Sequence, residues 1–270
     1  MAVLAHPDDE SLGIGGTLAK YAAQGVEVFL LTATRGEKGR YRGLRADDPR
    51  HPGPSDLAKI RERELRAAAS VLGVHEVSFL DCHDGAVDRA DVRQTVGSIV
   101  RHLQRVRPDV VVTFGPDGAY GHPDHIAISQ FTTAAVVAAA DAGFTAGGVE
   151  GSGQTHSVSK LYYLAWPESK WTAYQIAFRK PVALVDGVQR QGMAWPDWAI
   201  TTVIDTRAFY STVWQATTCH ESQVAAYEQL KDLPPAHHDA LWSEQSFYRA
   251  FSTVNGGRAR ETDLFEGIKS

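Results

Sequence analysis

The chain has 270 residues and a mass of 29.4 kDa, room for one large α/β domain or a domain with a decorated C-terminal part. Hydrophobic residues make up 43% and charged residues 22%, a balance that suits a buried core and argues against disorder, collagen-like repeats or a coiled coil. With 27 basic against 32 acidic side chains the formal net charge is −5, which lacks the basic footprint of a nucleic-acid binder.

No apolar run approaches the ~18 residues of a membrane span, and no signal pattern opens the chain. The two cysteines, Cys82 and Cys219, are too far apart to read as a disulfide framework. A cytoplasmic protein is expected.

Met1–Leu4 reads as a short apolar strand, cut close by the chain start. Ser11–Gln24 reads as a helix stopped by Gly25, and Val26–Thr32 as a buried strand. A second helix is predicted over Asp56–Leu72, with Ser55 as its N-cap and Gly73 as its stop. Val74–Leu80 follows as a strand, Asp91–Arg107 as a helix halted by Pro108, Asp109–Phe114 as a strand and Ile126–Ala140 as an alanine-rich helix. This alternation means parallel strands joined by right-handed crossovers, hence a doubly wound α/β sheet.

Past Ala140 the pattern loosens. A glycine-rich loop is expected at 141–155, with short strands at Lys160–Ala165, Val182–Asp186 and Ala199–Asp205. Helices are expected near Arg207–Thr217 and Leu241–Ser252. The reading is one domain, 1–270, with a core at 1–140 and a smaller C-terminal β/α extension at 141–270 that shapes the substrate pocket.

Ligands of open parallel sheets gather outside the carboxyl ends of the strands. After the first strand comes His6-Pro7-Asp8-Asp9-Glu10, and after the third Asp81-Cys82-His83-Asp84-Gly85. After the fourth comes a loop with Asp117, Tyr120 and His122-Pro123-Asp124-His125. Imidazole and carboxylate suit a divalent metal such as zinc, whose catalytic sites use three protein ligands and a water. His6 and Asp9, three apart at a strand-to-helix corner, can face one point. His125, at the mouth of the next helix, can supply the third ligand.

Asp8, Glu10, His122 and Asp124 remain for other work, such as proton transfer beside a metal. Taken singly, the first motif reads equally as a turn with an aspartate N-cap, and the second as a polar loop. Two such motifs, each directly behind a strand of one sheet, favour the metal. Proline after the first histidine of each stiffens the loops that hold the ligands. Glu10 is expected to cap or brace the site rather than react.

These motifs, Ala5–Glu10 and Gly121–His125, resemble those of the LmbE-like, or PIG-L, zinc-dependent N-deacetylases. The similarity continues in Thr32–Gly39, in Arg61-x-x-Glu64-Leu65 followed by Leu72-Gly73-Val74, in Asp84-Gly85 and in His220-x-Ser222-Gln223. It implies a Rossmann-like sheet and hydrolysis of an acetamide, usually on an N-acetylglucosamine unit. Carried over by position, it makes His6, Asp9 and His125 the metal ligands and Asp8 the general base. His122 becomes the acid or electrostatic partner, oriented by Asp124. Tyr120 matches a tyrosine that helps bind the carbonyl oxygen in some members.

Zn2+ is the cofactor implied, and two nitrogens with one carboxylate also suit iron(II), cobalt or manganese. An amidase on a different amide, such as a thiol-sugar conjugate or an acylated natural product, is the nearer alternative. A non-catalytic metal- or carbohydrate-binding protein is the more distant one.

Arg61 and Glu64 fall on the apolar face of the second helix, where charged residues are seldom unpaired. Arg61 is expected to bind substrate, as the matching arginine does in related deacetylases, with Glu64 as its structural partner. The 35–50 loop carries five arginines against three acids, and reads as a solvated loop or as a lid over an anionic aglycone. His220 is expected to face or seal the site, and Asp84 to orient a histidine or end its turn. Trp195 and Trp198 are read as a sugar-pocket wall or as core, and His83 and His237-His238 as surface.

Gly13-Ile14-Gly15-Gly16 suggests a nucleotide-binding rival, but the spacing is not GxGxxG and three neighbouring acids would repel a pyrophosphate. Those glycines are read as letting the helix approach the sheet. The expected partner is a small amino-sugar substrate, with no nucleic acid and no membrane span; a homo-oligomer is left open.

Overall fold

The computed structural model describes residues 1–145, 154–178, 182–185, 188–223, 225, 230, 232–257 and 259–269. In chain order its elements are β1 (Ala2–Leu4), α1 (Asp9–Ala23), β2 (Phe29–Thr32), α2 (Pro54–Val71), β3 (Glu76–Phe79), α3 (Val92–Val106) and β4 (Val110–Phe114). The helical turn α4 (Gly118–Gly121), α5 (Pro123–Ala139), β5 (Lys160–Leu164), α6 (Glu168–Phe178) and the strands β6 (Val182–Val185) and β7 (Val188–Gln191) come next. β8 (Thr202–Asp205), α7 (Tyr210–Thr218), α8 (Pro235–Trp242) and β9 (Glu244–Ser252) complete the series.

Among the described residues the main sheet has seven strands in the order β3-β2-β1-β4-β5-β9-β8. β3 to β5 run parallel, while β9 is antiparallel to β5 and to β8. β6 and β7 form a separate hairpin. The expected doubly wound, mostly parallel α/β sheet is thus the one that forms.

Parallel strands covered on both faces read as unbroken apolar runs, and all five residues of β4 are buried. α3 shows how a covering helix is specified. Asp91 caps it by accepting from the Gln94 N–H, Val96, Ile99, Val100 and Leu103 form its buried face, and Arg107 in the left-handed region ends it before Pro108.

From β1 the chain winds outward through β2 and β3, then returns to β4 on the other side of β1. The carboxyl ends of β1 and β4 therefore flank the topological switch point, where such sheets bind ligands. Both histidine–proline–aspartate motifs emerge there.

Element ends differ from the sequence reading in ways that matter at the site. α1 starts at Asp9 rather than Ser11. α5 starts at Pro123 rather than Ile126, with His122 as its N-cap. α2 is capped by Gly53, not Ser55, because Pro54 takes its first position, where the fixed φ of proline is already helical.

The helix expected over Leu241–Ser252 is overturned: α8 ends at Trp242 and 244–252 is strand β9. The four-residue spacing of Phe247 and Phe251 fits a helix locally, but β5 and β8 supply the hydrogen-bonding partners. Buried Glu261 locks that edge, accepting from Lys160 Nζ, Arg249 Nη1, Tyr162 Oη and Thr202 Oγ1, each at 2.7 Å. α6 and β7 have no counterpart in the sequence reading. Most of the 141–155 loop, 146–153, lies outside the described residues, as does Asp186 at the end of the second expected C-terminal strand.

The close approach expected of the α1 glycines is made to the sheet at Gly13, where a Cβ would stand 3.3 Å from Leu164 Cδ2 of β5, and to a second neighbour at Gly16. A Cβ on Gly16 would stand 2.6 Å from Thr206 Cβ, so the glycine seats α1 against the C-terminal half of the chain. No described helix is long and apolar enough to cross a membrane.

Candidate active site

His6 leaves β1 with its ring buried in the switch-point crevice, and its two nitrogens have different neighbours. Nδ1 lies 3.2 Å from His125 Nε2 and 3.6 Å from Asp9 Oδ2. His125 Nε2 in turn lies 3.4 Å from Asp9 Oδ1. Donor atoms held at ~2.0–2.1 Å by a tetrahedral ion sit about 3.3 Å from one another. The His6–Asp9–His125 triangle has that size, and two imidazoles with one carboxylate are a donor set suited to zinc.

The other nitrogen, His6 Nε2, faces Asp124 Oδ2 at 3.1 Å and Asp84 Oδ1 at 3.3 Å. Carboxylates on that side keep the proton on Nε2 and leave the Nδ1 lone pair for a cation. Each carboxylate is held by main-chain donors: Lys38 N on Asp84 at 2.9 Å, and Gly85 N and Val87 N on Asp124 at 2.6 and 3.1 Å. Asp84 therefore takes the histidine-orienting role that was one of its two expected readings. His125 is fixed by face-to-face stacking on Phe114 at 3.9 Å.

The nitrogens of His6, His122 and His125 also converge, but His122 is committed differently. As N-cap of α5 it accepts the Asp124 N–H on Nδ1 at 3.2 Å, so its proton sits on Nε2, which then donates rather than ligates. The expectation that Asp124 orients His122 is corrected accordingly. Its carboxylate serves His6, and its main-chain N–H alone meets His122. Tyr120 stands edge-on to the rings of His122 and His125, at 5.8 and 5.2 Å.

Electrostatics follow from this packing. Burial opposes the charge on His6, but hydrogen bonds to Asp124, Asp84 and Asp9 outweigh it and raise the ring well above its usual value. Burial also opposes ionisation of Asp9, yet His125 and His6 pull it well below the carboxylate range. Desolvation pushes His125 down to about 3, leaving a neutral ring with a lone pair. Desolvation and the Asp9 charge raise Tyr120, so its hydroxyl stays a donor.

Asp8 occupies a positive-φ conformation, φ 113° and ψ −23°. Its Oδ2 meets Arg61 Nη2 at 3.1 Å, and the buried guanidinium also donates to Pro7 O and Gly36 O. Gly36 permits this, since a Cβ there would lie 2.2 Å from Arg61 Nη1. The expected pairing of Glu64 with Arg61 is corrected: Glu64 accepts from Ser222 N and Oγ at 2.7 and 2.6 Å. Glu10 braces the site as expected. Its carboxylate accepts from Asp8 N at 2.9 Å, Ser11 Oγ at 2.5 Å and His220 Nε2 at 2.7 Å.

The main-chain donors Gly85 and Val87 carried no signal in the sequence, because every residue but proline offers such an N–H. The loop arginines are largely spent on nearby acids: Arg35 on Glu62 and Asp81, Arg42 on Glu221, Arg45 on Asp47 and Arg50 on Asp48. Trp195 donates from Nε1 to Asp117 at 3.2 Å, whereas Trp198 is 85% exposed. His83 is exposed as expected. His237 and His238 are half-buried, and His238 is bonded to Tyr210 Oη and Leu230 O.

A His–Asp–His cluster at the switch point of a doubly wound sheet defines an α/β protein able to hold a divalent cation. The family described as PIG-L, GlcNAc-PI de-N-acetylase, matches residues 1–136. A 1D-myo-inositol 2-acetamido-2-deoxy-alpha-D-glucopyranoside deacetylase of Rhodococcus jostii is 34% identical, covering 99% of this chain and 97% of its own. Its counterpart from Thermomonospora curvata is 35% identical, covering 98% and 95%. The chain belongs to the PIG-L, or LmbE-like, deacetylase family.

Among solved structures, the 4-carboxy-2-hydroxymuconate hydratase of Pseudomonas putida has a TM-score of 0.70 at 19% identity, over 96% of this chain and 98% of its own. The N,N'-diacetylchitobiose deacetylase of Pyrococcus horikoshii has a TM-score of 0.65 at 19% identity, over 92% and 83%. Both share the fold. Since one is a hydratase, the fold alone does not choose a reaction.

Proposed function

We propose that this chain is a metal-dependent N-deacetylase that removes the acetyl group from an N-acetylglucosamine-containing small molecule. The observation that carries the reading is the triangle of His6, Asp9 and His125, with Asp8 beside it. The full-length sequence relatives named as deacetylases of an acetamido-glucoside favour that substrate class over other amides. Zn2+ is the metal proposed, with iron(II), cobalt or manganese as chemically acceptable substitutes.

His6 through Nδ1, His125 through Nε2 and Asp9 would hold the ion. Bound there, it would polarise the acetamide carbonyl and make water more acidic. Asp8 acts as the general base, its carboxylate aimed by Arg61, and takes the proton of the attacking water. The His122 Nε2–H and the Tyr120 hydroxyl supply hydrogen bonds to the negative charge that develops on the carbonyl oxygen. A proton delivered to the departing nitrogen from Asp8 or His122 releases acetate and the free amino sugar.

The C-terminal part, 141–270, is proposed to wall the substrate pocket of a 1–140 core. A Gly192 Cβ would stand 1.9 Å from Ala119 O, so the exit of β7 lies directly on the turn that carries Tyr120. Burial of Arg61 against Asp8 supports a role in aiming the base, with substrate contact through that carboxylate's surroundings.

The test is acetate release from a panel of N-acetylglucosaminyl conjugates and other amides, with metal-stripped and zinc-reloaded protein. Turnover confined to acetamido sugars, lost on stripping and restored by zinc, is expected. Asp8→Asn should keep its metal and lose most turnover. An undiminished rate in the stripped protein, or in Asp8→Asn, overturns the reading.

A further inference from the structure

We propose that Glu10 and His220 form a positioning pair whose task is to fix the main chain of Asp8. The proposal rests on the reading of Asp8 as the base, and it concerns residues that touch neither substrate nor metal. A non-glycine residue at φ 113° is strained and persists only where its surroundings over-determine it. Asp8 precedes the first turn of α1, where main-chain N–H groups lack helical partners. Glu10 Oε2 takes the Asp8 N–H at 2.9 Å, closing the backbone in that conformation.

Glu10 is 1% exposed, and a carboxylate so buried needs a partner. His220, wholly buried, reaches it across 210 residues of sequence at 2.7 Å. Ser11 Oγ adds a third contact, so both Glu10 oxygens are engaged away from the His6–Asp9–His125 triangle.

The segment carrying His220 also reaches the second clamp on Asp8. Ser222 is bonded to Glu64 on α2, the helix that carries Arg61. His220 is itself held in the turn by its N–H to Thr217 O and by Gln223 N to its carbonyl. One C-terminal turn thus supports the grip on the amide of Asp8 through Glu10, and that on its carboxylate through α2. The His220-x-Ser222-Gln223 motif of the sequence finds a physical role in this coupling.

The experiment compares Glu10→Gln, His220→Leu and His220→Gln as zinc-loaded proteins, in the wild-type background and in Asp8→Asn. Misplacing a catalytic group by about 1 Å costs up to about 100-fold, so Glu10→Gln and His220→Leu should lower kcat by about 30- to 100-fold. KM should hold within about two-fold, and bound metal should not change. His220→Gln, whose amide nitrogen can stand in for Nε2, should recover most of the rate. In the Asp8→Asn background none of the three should lower the residual rate further, because a positioning pair has nothing left to position.

Hydrogen exchange of the Asp8 amide, followed by NMR, reads the same contact without any substrate. It should be at least about ten-fold faster in His220→Leu than in wild type and protected again in His220→Gln. Equal losses in both backgrounds, or unchanged exchange of the Asp8 amide, overturn the proposal. A wild-type protein that releases no acetate overturns the deacetylase reading instead, and the exchange measurement still decides the pair.

Discussion

Replacing Asp124 by asparagine separates the support of His6 from its presence. The carboxylate is fully buried and accepts three hydrogen bonds: Val87 N on Oδ1, Gly85 N and His6 Nε2 on Oδ2. An amide has one acceptor and one donor, so either orientation turns an NH2 group towards a main-chain N–H. A buried donor left unsatisfied costs about 1–3 kcal/mol, which in a chain of this size lowers Tm by about 2–10 °C.

With the NH2 group at the Oδ2 position His6 Nε2 keeps only Asp84, at 3.3 Å, and with it at the Oδ1 position His6 faces a neutral amide oxygen in place of a carboxylate, a weaker acceptor. In both orientations the tautomer that frees Nδ1 is less strongly enforced. Losing such a carboxylate–histidine contact weakens metal binding by about 10- to 100-fold. Competition against a fluorescent chelator measures the affinity, and calorimetry of the metal-free proteins measures the stability. Zinc affinity within about two-fold of wild type would refute the assignment of Asp124 as the residue that sets the His6 tautomer.

Desolvation raises Asp117 to about 6, so the folded state binds its proton more tightly than the unfolded one. Its stabilising contribution is complete below the unfolded value of 3.8 and is lost as pH rises through 6. Asp117→Asn keeps the acceptor for Trp195 and should be more stable than wild type by about 1–3 kcal/mol at pH 7. That gain should vanish below about pH 4 in denaturant titrations; a pH-independent difference would contradict it.

Gly36→Ala and Gly25→Ala make a matched pair. Both have positive φ, but a Cβ at Gly25 meets nothing within 4 Å whereas one at Gly36 runs into Arg61. Gly25→Ala should cost about 1–2 kcal/mol and no activity, while Gly36→Ala should cost more and lower kcat by displacing Arg61 from Asp8. Arg42 is paired with Glu221, so Arg42→Ala should change KM for anionic and neutral conjugates alike, within about two-fold. Selective loss of the anionic ones would restore a charge-reading lid.

The sequence by itself determined the parallel half of the sheet and the position of the site. Apolar runs as long as a strand, alternating with helices, admit few other arrangements, and HPDD and HPDH lie in the connections that leave β1 and β4. The candidate ligands His6 and Asp9 were legible together because a histidine and an aspartate three apart at a strand-to-helix corner can face one point.

Tertiary structure alone decided what each polar group bonds to, since partner choice depends on distances that no local pattern encodes. Arg61 went to Asp8 and not to Glu64, and Asp124 to His6 and not to His122. The same holds for β9, read locally as helix, whose hydrogen bonds come from strands about 40 to 90 residues away in sequence. Glu10 shows the limit most plainly: its sequence neighbours suggested a brace, but its partner is His220, and only the folded chain brings that ring within 2.7 Å.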